Sequence, residues 1–127
     1  MTFHRAYPTV AETIETHRLL IEEFGGDAGI RDHGLLESAV LRPQTGYYSG
    51  VIEEAAALME SLVKNHPFID GDKRVGFAMA DALLRANGYF LEVEADAAFE
   101  FIAGALDRGE FRFDRIFEWM EPCVKVL

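Results

Sequence analysis

The sequence predicts an all-α protein: a single compact bundle of about six helices around a buried central helix, spanning residues 1–127. Three observations predict it. Apolar residues recur at helical spacing in several segments of a chain that is 50% hydrophobic. One of these segments, VGFAMADALL, is apolar almost all the way round, as a helix at the centre of a bundle is. No series of strands is visible, and only Tyr89 to Val93 reads as a short extended piece.

Each element has its own warrant. Thr9 with Glu12 three residues later, preceded by Pro8, has the form of a capping box, and Ile14, Leu19, Leu20, Ile21 and Phe24 supply the stripe behind it. Gly25-Gly26 should end this first helix. GGDAGIRDHG is glycine-rich and polar, hence a loop, and LLESAVL is a short second helix stopped before Pro43. From Val51 to Asn65 apolar residues again recur at helical spacing, with Glu53, Glu54, Glu60 and Lys64 expected on the opposite side. Pro67 should end that third helix and push His66 toward an extended conformation. The central helix runs from Lys73 to Asn87 and stops at Asn87-Gly88. Asp96 is the expected N-cap for AAFEFIAGALDRG, and FDRIFEWMEP forms a last helix ending before Pro122.

Charge and composition narrow the function. Twelve basic against 22 acidic residues give a net charge of -10, which repels a phosphate backbone and argues against a direct nucleic-acid partner. The lone Cys123 cannot close an intramolecular disulfide, and MTFHRAYPTVAE lacks the basic start and apolar run of a signal peptide. A cytoplasmic location is the expectation. No segment approaches the roughly 20 apolar residues of a membrane span, so no membrane partner is expected either.

The chemistry concentrates in one stretch, His66 to Arg74, HPFIDGDKR, between the two most apolar helices. A loop there feeds the N-terminus of the central helix, where unpaired N–H groups and the positive dipole end favour an anion. Lys73 and Arg74 oppose that dipole. Their presence suits a site that gains cationic donors for phosphates at a local cost in stability. His66 can accept a hydroxyl proton near neutral pH, and Asp70 can hold Mg²⁺ beside a phosphate. Base, metal ligand and phosphate clamp are the parts that phosphoryl or nucleotidyl transfer needs.

HPFIDGDKR resembles the signature of the Fic/Doc family, H-x-F-x-(D/E)-(A/G)-N-(K/G)-R, and GGDAGIRDHGLLESAVLRPQ is similar to the N-terminal part of Doc-type members, the death-on-curing toxins. The resemblance implies a helical Fic/Doc-like fold with His66 as catalytic base, Phe68 as apolar anchor, Asp70 positioning Mg²⁺, and Gly71, Asp72, Lys73 and Arg74 forming the phosphate-binding turn. Arg74 would also stabilise charge during transfer. Adenylylating Fic enzymes usually have glycine where Lys73 stands and a second arginine at the position of Phe77, so the Doc branch is favoured. It implies the toxin of a type II toxin-antitoxin pair. Such a toxin is kinase-like, moving phosphate from ATP to a protein hydroxyl, in translation elongation factor Tu for Doc-type proteins. An antitoxin with a disordered segment that folds on binding is the implied partner. SGVIEE, Ser49 to Glu54, lacks the last residue of the family's inhibitory helix, which leaves control to another chain.

Asp72 departs from the pattern. It stands where the family has asparagine, and at about 4 Å and an effective dielectric near 20 its charge repels a phosphate charge by roughly 4 kcal/mol before screening. An attenuated binding module therefore stays open beside the kinase and the AMP-transferring alternatives. Plainer roles exist too: Asp70 and Asp72 as helix caps, Lys73 and Arg74 as solvated cations, His66 as a packed helix end. Of the remaining candidates, His4, His17 and His33 are expected on the surface, Tyr47 and Tyr48 at the core edge or in a partner contact, with the core favoured, and Phe111, Phe113, Phe117 and Trp119 in packing.

Overall fold

A computed structural model describes residues 4–127, which form six α-helices and one two-stranded antiparallel sheet. The helices are α1 (Val10–Phe24), α2 (His33–Leu41), α3 (Val51–Lys64), α4 (Asp72–Ala86), α5 (Ala95–Asp107) and α6 (Phe113–Met120). The strands are β1 (Tyr89–Leu91) and β2 (Val124–Val126), paired Tyr89 to Val126 and Leu91 to Val124. The expected all-α bundle is present, with the small sheet joining the chain after α4 to its C-terminal residues. β2 was not expected, because its partner lies two helices earlier and no hairpin turn announces the pairing.

The expected buried centre of the bundle is formed by α3 and α4 together. α3 is buried along most of its length and packs on α4, and the two bring Leu58, Met59, Leu62, Val75, Met79 and Leu83 into one core. Gly76 makes the close approach possible. A Cβ there would lie 2.8 Å from Val63 Cγ2 and 3.5 Å from the Met59 carbonyl oxygen.

Helix ends largely follow their local signals. Thr9 and Glu12 form the capping box of α1, whose last turn is closed by the Gly25 N–H donating to the Ile21 carbonyl at 2.7 Å. Asp32 caps α2, and Pro43 enters a short 3-10 turn, Arg42–Thr45, rather than following a clean stop. α5 departs from expectation. Its N-cap is Glu94 with no side-chain bond, and Asp96 sits inside the first turn, where its charge still suits the dipole.

Four other expectations are corrected. Leu19 and Phe24 are about half exposed, and the buried face of α1 carries Thr13 and His17 instead. Glu54 and Glu60 are buried. Glu54 accepts from Arg5 Nε and the Tyr7 hydroxyl, while Glu60 accepts from Arg42, Lys64 and the Phe113 N–H, so distant partners supply the compensation that burial of charge requires. Tyr47 lies at the surface, 84% exposed, whereas Tyr48 packs on Phe113 and accepts from Arg42 Nε. The fourth, His66, belongs to the site. The aromatic residues near the C-terminus pack as expected, with Phe101 stacked on Trp119 and Phe111 buried.

Candidate functional site

α3 ends one residue before Asn65, and the chain must turn sharply to reach Pro67. The right-handed helical region is disfavoured for a residue before proline, and His66 takes the left-handed one, φ +50°, instead of the expected extended form. This conformation costs a side-chain-bearing residue about 1–2 kcal/mol. Arg31 offsets part of it, donating from Nε to the His66 carbonyl at 2.5 Å and from a terminal nitrogen to the Asn65 carbonyl at 2.8 Å.

The loop after His66 is fastened from both sides. The Arg31 and Asp32 N–H groups donate to the Pro67 carbonyl, the Ile69 N–H donates to the Gly29 carbonyl, and Ile30 bridges to Phe68. Phe68 is fully buried, its ring stacked on His17 with centroids 3.7 Å apart and planes 7° apart. His17 Nε2 lies 2.6 Å from the Asp70 carbonyl oxygen, to which it donates. His17 was expected on the surface. It is buried instead because Phe68 and Asp70, more than fifty residues on, close against it.

Gly71 then adopts φ +83° and caps α4 without any side-chain hydrogen bond, which leaves the N-terminal turn of the helix open. The turn fits closely against α1. A Cβ on Gly71 would lie 3.3 Å from Ile21 Cδ1 and 3.4 Å from His17 Nε2.

An open cleft of about 420 Å³ gathers these groups. His66, Asp70, Gly71, Asp72, Lys73 and Arg74 all line it, with Phe24 and Phe99 on its apolar side. Sequence reasoning therefore names residues that the fold does bring together. Asp70 is exposed, and its Oδ2 accepts the Asp27 N–H at 2.8 Å. Asp72 is 7% exposed, with Oδ1 accepting the Phe68 N–H at 3.0 Å and Oδ2 against His66 Nδ1. The His66 side chain is 52% exposed. The Arg74 guanidinium carbon sits 3.9 Å from the centre of the Phe24 ring and 4.9 Å from that of Phe99. Among the described residues neither Lys73 nor Arg74 forms an ion pair. Phe77 lines an adjoining apolar hollow that also meets Arg74.

No cluster of three or more His, Cys, Asp or Glu side chains with the arrangement of a protein-only metal site occurs among the described residues. Mg²⁺ beside phosphates needs less from a protein, commonly one or two carboxylates, with substrate oxygens and water completing its shell. An exposed Asp70 on the wall of an open, cation-lined cleft meets that requirement.

Fold and cleft together define a class: a helical domain that presents an imidazole, a carboxylate and two cations around the uncapped end of a buried helix. Residues 7–84 match the Fic/DOC family, a span from the segment before α1 to the last turns of α4 that includes the whole histidine loop. The chain is also similar to a protein named Toxin Doc from Mycolicibacterium smegmatis (strain ATCC 700084 / mc(2)155), at 42% identity over 78 residues. That match covers 58% of this chain and 60% of the relative's length. The chain belongs to the Fic/Doc family.

Proposed function

We propose that residues 1–127 act as one Fic/Doc-like domain and as a Doc-type toxin, a protein phosphotransferase that uses ATP and Mg²⁺. One observation carries this reading. A half-exposed imidazole and two cations without acidic partners among the described residues share a cleft with an open helix N-terminus. A base for a hydroxyl and a cradle for polyphosphate are the two requirements of phosphoryl transfer that side chains must meet.

In this reading the backbone of Gly71 and Asp72, with Lys73 and Arg74, holds the phosphates, and Asp70 holds Mg²⁺, which when bound neutralises charge on phosphate oxygens. His66 takes the proton of the acceptor hydroxyl. The hydroxyl oxygen bonds to the γ-phosphorus, the bond from that phosphorus to the bridging oxygen breaks, and ADP leaves with the electron pair. The proton stays on His66 until solvent removes it. Phe77, half-buried in the neighbouring hollow, supplies no second cation, which favours γ-phosphoryl over AMP transfer.

The relative's name and the family resemblance support a toxin role, with a protein acceptor such as translation elongation factor Tu and an antitoxin as the controlling partner. The test incubates the chain and His66→Ala with γ- or α-labelled ATP, Mg²⁺ and a cell extract. Label from the γ position, absent with His66→Ala and from the α position, is expected. Label from the α position would make the protein an AMP transferase, and no label with either would make it a binding module.

A further inference from the structure

Asp72 replaces a neutral amide with a negative charge in a cleft read as a phosphate site, so the direction of its carboxylate matters. Both oxygens are engaged away from bulk solvent. Oδ1 receives the Phe68 N–H, and Phe68 cannot easily shift, since its ring is fully buried against His17. Oδ2 meets His66 Nδ1. On the other side of the loop Arg31 holds the His66 carbonyl, so backbone and ring are restrained independently. The second ring nitrogen, Nε2, has no hydrogen-bond partner among the described residues and belongs to a side chain that lines the cleft.

An ionised carboxylate accepts hydrogen bonds and donates none, so the ring proton in this contact resides on Nδ1. Neutral imidazole carries one proton, and its residence on Nδ1 leaves the lone pair on Nε2. We infer that Asp72 is a positioning residue that fixes His66 in the tautomer and orientation in which Nε2 can take the acceptor's hydroxyl proton. When that proton arrives both ring nitrogens carry hydrogen, and the buried carboxylate stabilises the new positive charge. The aspartate thereby serves the base rather than chiefly repelling the nucleotide. The inference rests on His66 being the base of the proposed phosphotransfer.

Asp72→Asn separates the alternatives. The amide oxygen can keep the Phe68 N–H bond, while the amide nitrogen donates to Nδ1 and forces the proton onto Nε2. In the full chain, long-range proton–nitrogen spectra of ¹⁵N-histidine protein under mildly alkaline conditions, with His66 assigned through His66→Ala, should show the proton on Nδ1 in the wild type. They should show it on Nε2 in Asp72→Asn. Labelling from γ-labelled ATP should fall about 10²- to 10⁴-fold in kcat, with KM for ATP within about threefold of wild type. An unchanged tautomer in the variant, a wild-type proton on Nε2, or equal or faster labelling by Asp72→Asn would overturn the inference. A tautomer reversal in a protein that labels nothing would uphold the positioning contact and remove the phosphotransfer reading instead.

Discussion

Phe68→Ala probes the anchor of the histidine loop. The ring is fully buried and stacks on His17, so its removal both loses apolar burial and leaves a cavity beneath the loop. Such truncations cost about 3–5 kcal/mol, and the lost stack places this one toward the middle or top of that range. At roughly 2.1 cal/mol/K per residue, 127 residues unfold with an entropy of about 0.27 kcal/mol/K near the transition. A loss of about 4 kcal/mol then lowers Tm by about 15 °C. Calorimetry of the variant beside wild type reads this directly, and hydrogen exchange at the Ile69 N–H, which bonds to the Gly29 carbonyl, reports whether the loop loosens with it. A drop of only about 4 °C, equivalent to about 1 kcal/mol, would refute the idea that this ring ties the loop to the core.

Three further perturbations have expected sizes. His17→Phe keeps a ring against Phe68 but strips the Asp70 carbonyl of its donor, and urea unfolding should show a loss of about 1–3 kcal/mol; a neutral result would mean water replaces the bond. Gly71→Ala puts a side chain at φ +83° with contacts at 3.3 and 3.4 Å, so denaturant titration should register at least about 1–2 kcal/mol, and a stabilised variant would contradict the left-handed turn. Glu60→Ala leaves Arg42 without its carboxylate. Because the Arg42 side chain is about one-third exposed and can rehydrate, the expected cost is about 2 kcal/mol, below that of a fully buried pair, and a thermal melt unchanged from wild type would count against burial of this network.

Much of this architecture is readable from neighbours in the chain. The Thr9 and Glu12 box, Gly25 after α1 and the Asn87-Gly88 stop all act within a few residues, and the structure uses each of them. The histidine loop was legible for the same reason: its chemical groups occupy nine consecutive positions and converge once a turn precedes a helix. What stayed hidden depends on distant partners. Glu54 and Glu60 look like solvent-facing residues until Arg5 and Arg42 arrive from other segments. His17 looks like a surface histidine until Phe68 closes over it. Asp72 is the instructive case, since its residue type was plain but its direction was not. The left-handed conformations of His66 and Gly71 together set where that carboxylate points, and no periodicity encodes either.

The contact of Arg74 with Phe24 and Phe99 has a consequence for ligand entry. Both rings lie within cation–π range of the guanidinium, an attraction that does not use up its N–H donors. A cation steadied this way stays ordered without surrendering its donors to a resident carboxylate. In the proposed phosphate site an arriving anion would therefore break no ion pair of Arg74 among the described residues.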